Sequence, residues 1–236
     1  MPKKVKIKSI RKLESHDSDR YDLQVRGNHN FFANGVLVHN SWCQLGVLSP
    51  QDAHPDYGRL AVISKGLGSK RLCFKPEAEA NENNLYLRAA RHLNVLETFE
   101  DREESVFILG EVFGSGVQDL GYGAHTKSDE TLGFRVFDVY EGQPQHGRYL
   151  NDDELTQFCE ERGFERVPVL YRGPFSKAKM LQLTTGAETV SGEEAHIREG
   201  VVVRPTEERR DLLIGRVQLK SVSDDYLLRK NGTELT

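Results

Sequence analysis

Apolar segments of strand length, several of them carrying one charged residue, constrain the fold of this chain more than any other feature. The candidate strands lie at 106–113, 133–140, 167–172, 200–204 and 212–222. Apolar positions at helical spacing predict a helix over 85–99. A capping-box pattern at Asn151 and Glu154 predicts a second helix, which Gly163 ends. No internal repeat or low-complexity linker separates these segments, so the sequence predicts a mixed α+β domain.

The composition favours a folded protein that does not enter a membrane. Of the 236 residues, 37% are hydrophobic and 29% are charged, which supports a packed core and argues against wholesale disorder. No apolar run is long enough to cross a bilayer, and the basic N-terminus lacks the apolar stretch of a secretory signal. Three scattered cysteines fit neither a disulfide framework nor a CxxC metal site. We therefore expect a reduced, cytoplasmic protein.

Charge divides the chain into two parts. Residues 1–40 contain eight Lys/Arg against four Asp/Glu, a net charge of +4, which leaves −8 for residues 41–236 of a chain whose total is −4. This contrast indicates either two units with different partners or a basic, solvated tail on an acidic body. Charge alone favours the solvated tail.

The first part ends in a chemically distinctive tripeptide. Short alternating segments and an Asn34-Gly35 hairpin signal predict small strands before His39-Asn40-Ser41. An Asn side-chain amide can attack its own backbone carbonyl and cleave the following peptide bond, and a preceding His can assist by proton transfer. The hydroxyl of a following Ser can accept an acyl group. The tripeptide alone is a weak signal, because such triplets also occur in ordinary loops.

The stretch VRGNHNFFANGVLVHN followed by Ser resembles the two C-terminal blocks of an intein, and the resemblance covers residues 5–41. It implies that Asn40 cyclises, that His39 assists it, that His29 helps later steps and that Ser41 accepts the acyl chain. Residues 1–40 are similar to the C-terminal fragment of a split intein, which is a small all-β fragment of the Hint type. The implied partner is a separate polypeptide with the complementary N-terminal intein fragment.

Charged residues in the strands of the second part suit a metal–nucleotide pocket. Glu111 lies within FILGEVFG, Phe137 and Asp138 lie within GFRVFDVY, and REGVVVRP begins near Glu199 and ends near Arg204. In RVQLKSV, alternation places Arg216, Gln218 and Lys220 on one face. Carboxylates can hold a cation or a ribose, and a lysine can neutralise phosphate. Each charge taken singly is better explained as a paired structural charge, but four such stretches in order favour the pocket.

Residues 41–236 resemble the covalent nucleotidyltransferase superfamily, with the nick-sealing RNA ligases of the Deinococcus type as the nearest pattern. The resemblance implies an ATP-grasp-like ligase adenylation domain of antiparallel sheets with flanking helices, using ATP and Mg²⁺ or Mn²⁺. Many relatives have Lys at the position of Gln218, and some have Lys at the position of Arg204. The implied roles are phosphate or RNA-end contact for Lys65, ribose or metal binding for Glu111, adenine stacking for Phe137, metal binding for Glu199, nucleotide contact for Arg204 and α-phosphate contact for Lys220.

The nucleophile of this family is a lysine in a Lys-x-(Asp/His)-Gly motif, and the 236 residues contain no such motif. The resemblance places that lysine about four residues before Ser41 after splicing. We therefore expect a bacterial or phage-encoded precursor that trans-splices with its partner to build an ATP-dependent RNA ligase. This enzyme would seal 3′-OH and 5′-phosphate RNA ends, such as a nick, through a lysyl-AMP intermediate.

The sequence is also compatible with two other interpretations. One is a non-catalytic domain that binds nucleotide or RNA ends behind a degenerate intein remnant, and the other is half of a DNA ligase or capping-type enzyme. Because the body is acidic, RNA contacts are expected to be local. The candidates for these contacts, of which all but the first are equally explained as solvated surface, are Lys65, Lys70, Arg71, Arg172, Lys177 and Lys179.

Overall fold

A computed structural model describes most of the chain from residue 31 onward, with the backbone alone described up to residue 38. The described residues are 31–33, 36–38, 42–64, 73–114, 117, 132–143, 146–191, 194–212 and 215–228.

A two-stranded antiparallel sheet comes first. Strand β1 (Phe31–Ala33) pairs with β2 (Val36–Val38), with Ala33 opposite Val36. This pairing confirms the predicted hairpin. Two strands of three residues do not by themselves define an intein fold, so the intein assignment stays a prediction.

The central element is a five-stranded antiparallel sheet in the order β4-β3-β5-β6-β7. One of its faces packs against the helices and forms the main core, in which Leu45, Ile108 and Val136 are fully buried. The opposite face carries a smaller cluster around Phe107 and Leu109. The strands are β3 (Trp42–Val47), β4 (Leu60–Ser64), β5 (Val106–Phe113), β6 (Gly133–Glu141) and β7 (Arg148–Tyr149).

The sequence predicted one helix over 85–99, but the structure has two helices in this segment. The Asn84 side chain accepts the backbone N–H groups of residues 86 and 87 and so starts α1 (Leu85–His92). Asn94 then adopts a left-handed conformation with φ 48°, which ends the helical path before α2 (Val95–Thr98). The prediction of a single helix was therefore wrong at Asn94.

The third helix follows its sequence signals. The predicted capping box of Asn151 and Glu154 starts α3 (Asp152–Arg162), with both reciprocal hydrogen bonds present. Gly163, at φ 71°, is the C-terminal cap.

The segment that the sequence predicted as a strand at 167–172 is not one. Arg166 forms an isolated parallel bridge with Val136, but the residues that follow have no regular structure. Pro168 lacks the backbone N–H that a strand ladder needs, which accounts for the difference.

The last part contains two small ribbons. Its elements are α4 (Lys177–Thr184), β8 (Gly200–Val203), β9 (Arg210–Asp211), β10 (Gly215–Arg216), β11 (Leu219–Val222) and α5 (Asp224–Leu227). The predicted strand 212–222 is divided, because β10 pairs with β9 whereas β11 pairs with β8. Antiparallel sheets with flanking helices confirm the predicted α+β class of the second part. Among the described residues, no helix is both long enough and apolar enough to cross a membrane.

Candidate functional site

The ribbon of β8 and β11 brings together two of the predicted site residues. Glu199 immediately precedes β8, and Lys220 lies in β11 opposite Val202. The Lys220 Nζ lies 2.7 Å from the Glu199 Oε1, and the Lys220 side chain is 53% exposed. The Ser223 N–H donates to the Glu199 carbonyl at 2.8 Å, which closes the ribbon at this end. The ribbon thus presents an ion pair whose cation remains open to solvent.

A bulge in the five-stranded sheet places two neighbouring residues on one face. Leu109 lies opposite Asp138 and Gly110 lies opposite Val136, so Phe137 is the extra residue of β6. Phe137 packs against the smaller cluster and stacks on Trp42, with ring centroids 6.5 Å apart. Asp138, opposite Leu109 of that cluster, lies on the same face. Without the bulge, alternation would send these two side chains to opposite faces.

Asp138 is the centre of a buried ion cluster. It is 2% exposed and accepts hydrogen bonds from Arg204 at 2.5 Å and from Arg216 at 2.5 and 2.8 Å. Gln218 approaches the same carboxylate at 3.5 Å. Arg204 also donates to the Phe137 carbonyl at 2.8 Å, so it contacts the backbone of the predicted adenine-stacking residue.

Arg216 is shared between two carboxylates and an aromatic ring. It donates to Glu208 at 2.6 and 2.7 Å, and its guanidinium lies 3.7 Å from the centroid of Tyr149. Burial by itself lowers the pKa of Arg216, but the hydrogen bonds to Asp138 and Glu208 outweigh burial and raise that pKa. The guanidinium is therefore a fixed positive charge.

The ion cluster fastens one end of the ribbon to the large sheet. Val203 lies opposite Leu219 at the last pair of the ribbon, so Arg204 and Gln218 are the residues just beyond that pair. Both reach the one carboxylate of Asp138. This arrangement holds β11, which contains Lys220, and β8, which follows Glu199, against the sheet face that carries Phe137.

Glu111 lies on that same face of the sheet. It is half-buried in β5, with Trp42 opposite on one side and Arg135 opposite on the other. The Cys43 thiol has a pKa raised well above its ordinary value, first by burial and second by the negative charge of Glu111.

The sequence identified Asp138 and Arg216 only as charged residues in motif-bearing strands, without a role for either, and it did not single out Glu188. A carboxylate beside Phe137 in an apolar strand was the available signal for Asp138. Glu188, which is 1% exposed, accepts the backbone N–H groups of Val190 and Ala195 at 2.6 and 3.1 Å. It thereby shapes the loop that leads to Glu199, and nothing in its local sequence pattern indicates this role.

The profile of the RNA ligase family matches residues 33–222, which is most of the chain. The chain belongs to the RNA ligase family. Its fold is similar to solved structures of an RNA ligase from Naegleria gruberi, including a variant with ATP and Mn, at a TM-score of 0.57 and 19% identity. A variant with AMP and Mn and a structure with PPi each give a TM-score of 0.56 at 19% identity. Each match covers 80% of this chain and 48% of the other, so the chain spans about half the length of these ligases.

A second similarity is much shorter. The Protein RecA of Mycobacterium leprae is 53% identical over 30 residues, which is 13% of this chain and 4% of that protein. A match of this extent does not show a family.

The carboxylates of this RNA ligase family member fit a divalent cation held partly by phosphate. Among the described residues, no group of three or more His, Cys, Asp or Glu side chains is arranged to hold a metal ion. Mg²⁺ is commonly held by one or two carboxylates together with substrate phosphates. Glu111 and Glu199, which the sequence predicted as metal ligands, would supply the carboxylates of such a site, and this role stays a prediction.

Half of the predicted site residues lie outside the described part of the chain. They are His29, His39, Asn40, Ser41 and Lys65. Their roles in splicing and in phosphate or RNA-end contact therefore stay predictions. The structure describes the other five, of which it pairs Lys220 with Glu199 and places Arg204 against the backbone of Phe137.

Proposed function

We propose that the domain after residue 40 is the nucleotide-binding part of an ATP-dependent RNA ligase that uses Mg²⁺ or Mn²⁺. The observation that carries this proposal is the Lys220–Glu199 ribbon, which the Asp138 cluster fastens to the sheet face carrying Phe137. Membership in the RNA ligase family supports it. The ATP, AMP and Mn in the structures of the Naegleria ligase support the choice of ligands.

The side chains divide the work of binding ATP between two surfaces. The half-buried ring of Phe137 would stack on adenine from the sheet, and Lys220 would contact the α-phosphate from the ribbon. Lys220 is partly exposed and paired with Glu199, so an arriving phosphate would compete with this carboxylate for the lysine. A divalent ion held by Glu111 and Glu199 would neutralise phosphate charge.

The proposed reaction has three steps. A lysine amine attacks the α-phosphorus of ATP, forms a P–N bond and releases pyrophosphate. A 5′-phosphate oxygen of RNA then attacks the same phosphorus and takes the AMP, which frees the lysine. A neighbouring 3′-hydroxyl finally attacks the RNA phosphate, loses its proton and displaces AMP. Positioning and charge neutralisation supply most of the rate enhancement in reactions of this kind.

We propose that the attacking lysine comes from a sequence joined to Ser41, which is consistent with the absence of a Lys-x-(Asp/His)-Gly motif from the 236 residues. We infer that residues 1–40 are the C-terminal fragment of a split intein and that residues 41–236 are the ligase part that it delivers. The order of His39, Asn40 and Ser41 supports this inference. The net charge of +4 on residues 1–40 supports fast association with an acidic partner fragment.

Co-expression with the partner polypeptide, followed by intact-mass analysis, tests the splicing proposal. Joining should release residues 1–40 and add the partner's sequence to residue 41. Asn40→Ala should block release and accumulate a branched species. The control is Asn83→Ala at an exposed position, which should splice like the parent chain. Normal release from the Asn40→Ala chain would contradict the assignment.

Labelling with α-³²P ATP tests the ligase proposal. The spliced product should carry an acid-labile lysine–AMP adduct, and adding nicked RNA should discharge it into sealed product. A spliced protein that binds ATP without forming the adduct would support the non-catalytic interpretation instead. An adduct discharged only by nicked DNA would support the DNA ligase interpretation.

A further inference from the structure

A basic and aromatic surface lies next to the ribbon. Residues 166–187 contain four Lys/Arg and no Asp/Glu, although residues 41–236 together carry −8. The exposed side chains of residues 169–181 are called the 169–181 surface below. Its exposed side chains include Tyr171, which is 45% exposed, and Phe175, which is 62% exposed. An exposed aromatic surface amid positive charge is unusual on an acidic domain and indicates a binding role.

The loop of this surface is held by local contacts that leave its rings in solvent. The Tyr171 hydroxyl donates to the Pro174 carbonyl at 3.3 Å. The Lys179 Nζ lies 5.8 Å from the centroid of the Tyr171 ring. Ser176 starts α4 by accepting the Lys179 N–H at 3.3 Å. These contacts fix the loop before Phe175 and the helix after it.

The cations of the segment fall into two groups. Arg166 contacts Asp152, and Arg172 lies 2.7 Å from Asp153, so both guanidinium groups are paired. Within the part of the chain that the structure describes, no carboxylate pairs with Lys177 or Lys179. The positive charge available to a ligand therefore comes from the two lysines of α4.

We propose that the 169–181 surface binds single-stranded RNA beside the ligase site, with an unpaired base on Phe175 and backbone phosphates at Lys177 and Lys179. The proposal rests on the proposed ligase function and names where that enzyme holds its substrate. Aromatic rings interleaved with cations bind single strands without sequence preference, because every base offers a π-face. A duplex buries these faces in its stack, so unpaired RNA is the occupant that the exposed ring fits.

Helix α4 connects this surface to the site. At its far end the Thr184 hydroxyl donates to the Ser221 hydroxyl at 2.7 Å, one residue from Lys220. Arg198, which precedes Glu199, donates to the Leu183 carbonyl at 2.6 Å. An eight-residue helix is about 12 Å long. The surface therefore lies within the reach of a few nucleotides of the ribbon.

Binding of the full chain to a fluorescent, single-stranded RNA of about 12 nucleotides, measured by anisotropy, tests the proposal. Phe175→Ala should weaken binding at least about fivefold, because a lost stacked base has that effect. Lys177→Ala and Lys179→Ala should each lower the slope of log affinity against log salt by about 0.7. The matched controls are Leu212→Ala, at another exposed apolar side chain, and Lys75→Ala, where the lysine also lies over a tyrosine ring at 5.2 Å. Both controls should bind like the parent chain.

Three results would overturn the proposal. The first is a parent chain that does not bind the single-stranded RNA at low salt. The second is a Phe175→Ala chain whose affinity for that RNA is unchanged. The third is a Phe175→Ala chain that loses as much affinity for duplex RNA as for single-stranded RNA. If the surface contacts the splicing partner instead, Phe175→Ala would slow splicing at unchanged RNA affinity, which is also a refutation. Lysine–AMP formation by the spliced parent needs no RNA, so its absence would refute the ligase function separately.

Discussion

Replacing Asp138 with Asn tests whether the buried ion cluster holds the ribbon on the sheet. The carboxylate accepts three hydrogen bonds of 2.5 to 2.8 Å from two arginines. With Glu208, the four ionic groups of the cluster sum to zero charge. Asp138→Asn keeps the shape of the side chain but leaves a net charge of +1 among groups that are at least 83% buried.

The expected cost follows from that uncompensated charge. Removing one partner of a buried ion pair destabilises a protein by about 3–5 kcal/mol. The Arg204 and Arg216 side chains are 15% and 16% exposed, so water relieves little of the charge. We expect a loss of about 3 kcal/mol, the lower end of that range, because the Asn oxygen still accepts one hydrogen bond. The midpoint of urea unfolding should fall by about 1 M or more.

Urea unfolding followed by circular dichroism measures this loss, with Asp101→Asn as the control. Asp101 also receives two hydrogen bonds from one arginine, Arg162, at 2.9 Å, but it lies at the surface. Water replaces those bonds, so the control should unfold like the parent chain. Adding Arg204→Met to Asp138→Asn should recover part of the lost stability, because it removes the unpaired cation. A double variant less stable than the single one would refute the reasoning.

Four further predictions concern the ribbon and the cysteines. In the spliced product, Lys220→Ala should reduce lysine–AMP formation by about 100-fold or more in a labelling assay. A thermal melt of the same variant should show a stability change of about 1 kcal/mol or less, because the Lys220 side chain is half exposed. Gly200→Ala should lower the melting temperature, because its Cβ would lie 2.1 Å from a backbone oxygen of the facing strand, and unchanged melting would show that the ribbon can shift. In the folded chain a thiol reagent should modify the exposed Cys73 quickly and the buried Cys43 and Cys159 slowly, with all three reacting in urea. Burial raises the pKa of Cys159 from 9.0 to about 11. The stability that the buried, protonated thiol contributes is therefore present below pH 9 and is lost as the pH rises towards 11. A series of unfolding curves at different pH values would show this loss.

Local signals predicted the elements that local chemistry controls. The capping box at Asn151 and the cap at Gly163 were correct, because a cap is formed by residues a few positions apart. The helix over 85–99 was wrong at Asn94, whose left-handed conformation an apolar period does not report. The strand at 167–172 was wrong because apolar character outweighed Pro168 in the prediction.

Candidate site residues were assigned from the sequence only where they lie in family motifs. Glu199 and Lys220 were predicted as site residues and prove to be paired, since both lie within motif-bearing strands. Asp138 was seen in the sequence but given no role, because its partners lie 66 to 80 residues away along the chain. The bulge at Leu109 and Gly110 that turns Asp138 onto the face of Phe137 is equally a property of strand pairing.

The sequence by itself determined the α+β class, the RNA ligase motifs, the absence of a Lys-x-(Asp/His)-Gly motif from the 236 residues and the presence of the tripeptide His39-Asn40-Ser41, because each depends on residue type and short spacing. Only the tertiary structure decided that one buried carboxylate joins the ribbon to the sheet. It alone also decided that the end of α4 contacts the ribbon and so places the 169–181 surface beside it. Burial and charge pairing depend on which distant segments meet, and an apolar or charged pattern in one segment does not specify its partner.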